Sequence, residues 1–144
     1  MNMMRHDELI FCLQKLHPGT VHGVDFWVAH PSDFSTGTQT GPAFIVQWNL
    51  EAVQPDDAEI DVVWREHGEE YRAMIADADA RAKRARLLTD ADRMVSKAVD
   101  LNEFDSEAQA RAYRQALRDI TTQPGWPTSI SWPDPPTIGQ PRKT

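Results

Sequence analysis

Gln54-Pro55-Asp56-Asp57-Ala58-Glu59-Ile60-Asp61-Val62-Val63-Trp64 reads as the opening of a helix, and the fold is built around it. Proline is accepted in a first turn because its missing N–H is one the helix leaves unpaired anyway. The acids that follow meet the positive end of the helix dipole. Apolar residues then recur at steps of three and four through Ile60, Val63, Trp64, Tyr71, Met74, Ile75, Ala78, Ala82 and Ala85. That spacing predicts a helix of about 25 residues. Gly68 interrupts the series and marks a place where it would divide. The later positions are mostly alanine. Such a stripe lets a second helix approach closely, either from this chain or across the axis of a homodimer.

Working toward the N-terminus, Met3, Leu9, Ile10, Leu13 and Leu16 form the stripe of a short helix over 3–16. His17-Pro18-Gly19 stops it, since proline cannot continue a helix and glycine accepts the left-handed cap. Val24-Asp25-Phe26-Trp27-Val28 is rich in β-branched and aromatic residues and reads as a strand. The Pro, Gly, Ser and Thr of 31–42 read as a loop, and Ala43 to Leu50 as a second strand. An antiparallel hairpin is the simplest joining of the two.

Toward the C-terminus, Thr89-Asp90-Ala91-Asp92 has the look of a fresh cap, opening a helix with Met94, Val95, Ala98 and Leu101. Asp105-Ser106-Glu107-Ala108-Gln109 opens another, with Ser106 and Gln109 at capping-box spacing. Its apolar face is Tyr113, Ala116, Leu117 and Ile120, and Gln123-Pro124-Gly125-Trp126-Pro127 ends it. Residues 128–132 read as extended and 133–144 as largely disordered. The fold class is α+β: a small helix–β-hairpin–helix unit, then an α-helical hairpin and a Pro/Trp-rich tail.

Charge divides along the same lines. The 144 residues carry a net −7. Residues 1–68 hold three basic residues (Arg5, Lys15, Arg65) against ten acidic ones, while 69–144 hold twelve of each. Six of the ten prolines lie in 124–144. Three regions are therefore expected: an acidic unit over 1–68, a helical region over 69–123, and a proline-rich turn and tail over 124–144. The acidic balance argues against broad binding to nucleic acid or to an anionic membrane surface. No apolar run is long enough to span a membrane. The first residues lack a secretory signal pattern, and a single cysteine, Cys12, permits no internal disulfide. A soluble protein of a reducing compartment is the expectation.

No constellation points to catalysis. His17, His22 and His30 gather near the first turn and strand, but without metal-ligand spacing, and read as surface histidines. Cys12 lies between Leu9 and Leu16 and reads as a buried thiol, with no base beside it to activate it. Asp56 and Asp57 fit a helix N-terminus, and Asp77 and Asp79 a polar face. The run Arg81-Ala82-Lys83-Arg84-Ala85-Arg86 reads as a solvated face with Asp77–Arg81 and Asp79–Lys83 ion pairs. No metal and no cofactor are called for. The tryptophans are more telling. Trp27, Trp48 and Trp64 fall in expected elements and read as core. Trp126 and Trp132 lie among prolines, where they either fold back on the preceding helix or dock on a partner as extended segments. The tight-turn chemistry of Gly125-Trp126-Pro127 favours folding back.

The stretch Ala112-Tyr113-Arg114-Gln115-Ala116-Leu117-Arg118-Asp119-Ile120-Thr121-Thr122-Gln123-Pro124-Gly125-Trp126-Pro127, followed by Ile130-Ser131-Trp132-Pro133, resembles the C-terminal signature of the tailed-phage tail assembly chaperone family. Arg84-Ala85-Arg86-Leu87-Leu88-Thr89-Asp90 is similar to that family's Arg-x-x-Leu-Leu-x-x-Thr-Asp segment, although Ala91 stands where the family usually has tryptophan. The resemblance covers about 70–134. Upstream, the helix ending at His17-Pro18-Gly19, the strand ending Gln47-Trp48-Asn49 and the helix opened by Pro55 are similar to the small XkdW-type phage module. The resemblance implies a phage or prophage protein of tail or tail-fibre morphogenesis, working in the host bacterial cytoplasm, or carried in the virion. It implies an assembly chaperone, not an enzyme, that binds a phage tail or tail-fibre protein. The alternative is a structural tail, baseplate or fibre-attachment protein that stays in the particle. The candidate contacts are Tyr113, Leu117, Trp126, Pro127, Trp132 and Pro133, with Arg114 and Arg118 as polar anchors.

Overall fold

Helix α1 (His6–Leu16) opens where Arg5 is extended and its N–H donates to the Glu8 carboxylate at 2.8 Å, half of a capping box. It closes at His17, and Gly19 follows at φ 84°, the left-handed geometry expected of the His17-Pro18-Gly19 stop. These details come from a computed structural model, which describes residues 3–139. Strands β1 (Phe26–Ala29) and β2 (Phe44–Trp48) pair antiparallel, as expected. Helices α2 (Asp57–Asp100) and α3 (Phe104–Asp119) follow, with a 3₁₀ turn at Ile120–Thr122. The α+β class with a helical hairpin is the architecture observed. The chain forms two compact units, Met1–Arg72 and Ala73–Thr144.

The first unit buries Leu9, Cys12 and Leu13 of α1 against Phe26 and Val28 of β1 and Ile60 and Val63 of α2. Trp48 and Trp64 pack at its border. Trp27 does not belong to this core. It lies on the opposite pleat from Phe26 and Val28, because side chains alternate along a strand. A bulge between Trp27 and Val28 pairs Val28 with Ile45 and Trp27 with Gln47. The extra residue, Val46, therefore turns outward together with Gln47, while Ile45 and Trp48 face in.

Helix α2 opens with a reciprocal box: Glu59 N–H donates to Asp56 Oδ1 at 2.8 Å and Asp56 N–H to Glu59 Oε2 at 2.9 Å. The expected division at Gly68 does not occur. Gly68 is buried in the helix, and a Cβ there would lie 3.3 Å from the Trp64 indole, so its lack of a side chain seats that ring. The expected cap at Thr89-Asp90-Ala91-Asp92 is likewise helix interior. The Thr89 hydroxyl donates to the Ala85 carbonyl at 3.1 Å instead of capping a new start.

The second unit is a helical hairpin. Asn102, at φ 54°, turns the chain between α2 and α3. Helix α3 begins at Phe104 after Glu103, so Ser106 lies inside its first turn and caps nothing. The buried face of α2 here is Ala80, Ala91, Val95 and Ala98, with Leu87, Leu88 and Met94 partly covered. Ala78, Ala82 and Ala85, the stripe expected to pack, are exposed. On α3, Ala110, Tyr113 and Leu117 are buried, Ile120 follows them, and Ala116 is exposed. Residues 124–128 form turns, and no strand is found over 128–132. Residues 133–139, expected to be disordered, run back along the pair: Ile138 is buried with Val95, Ala98 and Ala110. Lys97 Nζ donates to the Ile138 carbonyl at 3.2 Å, and the Gly139 N–H to Glu103 Oε2 at 3.3 Å. The same expectation for 140–144 lies outside the described residues.

Candidate partner-binding surface

The C-terminal turn is held by its own geometry. The Ser129 N–H donates to the Gly125 carbonyl at 2.6 Å, and a Cβ on Gly125 would stand 1.9 Å from the Ser129 oxygen. Only glycine fits there. The Gln123 side chain brackets the turn, accepting from the Ser131 N–H at 2.9 Å and donating to the Ser131 carbonyl at 2.8 Å. The turn sends both C-terminal tryptophans back onto the helices, the folding-back arrangement.

The Trp126 indole N–H donates to Asp77 Oδ1 at 2.9 Å, and the Arg81 guanidinium stands 5.6 Å from the ring centroid. Arg81 Nε also bonds Asp77 Oδ2 at 2.7 Å, the expected i,i+4 pair. Hydrogen bonds from Arg81 and then Trp126 hold the Asp77 carboxyl below its ordinary value of 3.8. Asp77 in turn raises the Arg81 guanidinium above its ordinary value. Trp132 packs against the cluster of Ala91, Tyr113 and Leu117, with Lys83 Nζ 4.4 Å from its ring centroid. An Asp79–Lys83 pair is not among the ion pairs of the described residues; Lys83 takes the indole face instead.

The expected contact residues thus fall into two layers. Tyr113 and Leu117 are buried in the hairpin core. Burial, with the Asp90 charge adding, raises the Tyr113 phenol above its ordinary 10.0. Trp126, Pro127, Trp132 and Pro133 are partly exposed above them. Arg114 Nη1 bonds Asp92 Oδ1 at 2.9 Å and ties α3 to α2. Arg118 is exposed.

Arg84 was hidden within the run expected to be a solvated face. Its Nε donates to the Leu117 carbonyl at 2.8 Å and its Nη2 to the Arg118 carbonyl at 3.0 Å. It therefore fills carbonyls that the end of α3 leaves unpaired, with a charge of the sign that end favours. Nothing in the run marks this one arginine out, because its neighbours at 81, 83 and 86 have the same chemistry.

In the first unit the histidines do more than cover surface. Val28 N–H donates to His22 Nε2 at 3.1 Å, and His6 Nε2 lies 3.2 Å from the Val28 carbonyl. The His6 ring meets those of His22 and His30 edge-on, with centroids 5.3 and 5.1 Å away. His17 stands edge-on to Trp48 at 5.3 Å. No group of three or more His, Cys, Asp or Glu among the described residues could hold a metal ion. Cys12 is fully buried, and burial, then the charges of Glu8 and Asp61, push its thiol to about 11. No helix among the described residues is long and apolar enough to cross a membrane.

No curated protein and no solved structure matches the chain. Family models match both halves. Residues 9–72 match XkdW protein, and residues 77–137 match Phage tail assembly chaperone protein. The second match spans α3, the Gly125 turn and both C-terminal tryptophans. The chain thus joins a region similar to XkdW protein to a region similar to Phage tail assembly chaperone protein.

Proposed function

We propose that the protein is a non-catalytic chaperone of phage or prophage tail assembly. It binds a tail or tail-fibre component before incorporation and works in the host bacterial cytoplasm. The match of residues 77–137 to the chaperone family carries this reading. The contact surface in this reading is Trp126, Pro127, Trp132 and Pro133, flanked by Arg114 and Arg118, with Tyr113 and Leu117 holding the platform beneath. Aromatic and arginine anchors of this kind dominate binding energy at protein interfaces. Covering a client's apolar surface would suppress its self-association until assembly.

Co-expression with the products of neighbouring tail genes tests the reading. One of them should be recovered with the chain. Changing Trp126 and Trp132 together to alanine should cut recovery by about tenfold or more, with helical content retained. Failure to recover any tail product would sink it. The second reading, a structural part of the particle, predicts the chain in stoichiometric amount in purified virions by mass spectrometry.

A further inference from the structure

We propose that the free edge of β2, with the outward face of the hairpin, binds an extended partner segment that alternates apolar residues and carries basic flanks. The inference goes beyond the proposed function and concerns the other compact unit.

The sheet has two strands and therefore two outer edges. The β1 edge is closed at Val28, whose N–H and carbonyl are met by His22 and His6. The β2 edge is open from Phe44 onward among the described residues; the residue before it, Ala43, donates its N–H to the Met4 carbonyl at 3.0 Å. Among the described residues, nothing beyond the ladder to β1 bonds the backbone of Phe44–Trp48. The strand carries neither charge nor proline, two of the usual guards of an edge, and is guarded only by its bulge at Val46. Two of its three outward side chains are apolar, Phe44 being 52% and Val46 59% exposed, and the third is Gln47. A groove beside the start of β2 has Leu9, Ile45 and Ile60 among its lining, with Asp57 and Asp61 as its charged residues. An added strand would pair with the open edge and set alternate side chains into the groove.

Charge selects the occupant. Residues 1–68 hold ten acidic against three basic residues, and the groove's own charges are carboxylates. A basic-flanked segment meets opposite charge there, whereas a second copy would bring two acidic rims together.

The test pans displayed random peptides about ten residues long, the size of an ordinary strand, on the full-length chain. Val46→Lys and Phe44→Lys chains, both solvent-facing changes checked for folding by circular dichroism, serve as counter-targets. Enriched peptides should alternate apolar residues between lysines or arginines and bind the Lys variants about tenfold more weakly. Asp57→Asn with Asp61→Asn should also weaken them. Absence of enrichment, acidic or proline-rich winners, or equal binding to the Lys variants would overturn the proposal. So would a dimer of the parent chain, in sedimentation, that Val46→Lys dissolves, since the edge would then belong to a second copy. The tail-product recovery assay is unaffected by any of these outcomes, so the two readings fail separately.

Discussion

The two units are stabilised by different means. The first buries Leu9, Cys12, Leu13, Phe26, Val28, Ile60 and Val63 around one centre. The second has two small clusters in which three of the seven buried residues, Ala91, Ala98 and Ala110, are alanines. An alanine face brings helices close but removes little apolar area from water. The second unit compensates with polar clasps: Arg84 on the end of α3, Arg114 on Asp92, Lys97 on the tail and Trp126 on Asp77. The charged clasps lie near the surface and weaken with salt, and the one on Asp77 also weakens with acid. A unit built this way should release its tail before it loses its helices.

Core truncation should separate the two most. Phe26→Ala should cost the first unit about 3–5 kcal/mol and Leu117→Ala the second about 2–5 kcal/mol. Chemical denaturation followed by residue-resolved NMR would show each loss in its own unit. Spread of either loss over the whole chain would break the comparison. Next in size, Arg84→Ala should cost about 1–3 kcal/mol, leaving α3 carbonyls unpaired. Its effect should fall on the second unit alone, and Arg84→Lys should restore only part, lacking the two-pronged fork.

Acid should act more gently. Asp77 titrates below its ordinary value in the folded chain, so its contribution is whole above about 3.8 and is lost as pH falls through the lower folded value. The Trp126 indole N–H resonance should shift over that acid window, and Asp77→Asn should show the released position already at neutral pH. An unmoved resonance would mean that the clasp does not hold the tail. The smallest effect is expected at Cys12. Its thiol, raised to about 11 and fully buried, should resist a maleimide at pH 8 in the native chain and react after denaturation. Rapid native labelling would show that the first unit opens more readily than its core implies.

Much of this was legible in sequence wherever a local signal had no rival. The stop at His17-Pro18-Gly19, the hairpin and the Pro55 helix start are local chemistry, and they stand. The misses have two causes: contacts between elements chose between signals of equal local strength, and contacts within α2 absorbed residues that elsewhere break or cap a helix. Two stripes of the same helical period run along α2 after Arg72, offset by two residues. Ala78, Ala82 and Ala85 looked apolar, while the stripe that packs is broken by Arg84. Gly68 and Thr89-Asp90 are helix breakers or caps only when nothing covers them; an indole seats on one and a carbonyl takes the hydroxyl of the other. Trp27 lay in a strand, but the face it occupies depended on register. His6 went unnoticed because its partner is a strand backbone 22 residues away.

The anchoring of Ile138 beside the turn at Asn102 has a kinetic meaning. Residues 133–138 belong to no helix or strand, so the amides of Asp134, Thr137 and Ile138 have no ladder to protect them. A protease or solvent deuterium reaches them whenever the clasp at Lys97 and Glu103 lets go. Cleavage within this segment is therefore a clock for release of the tail from the helical pair. It should tick faster than global unfolding and, on the proposed function, should slow when a partner covers the tail.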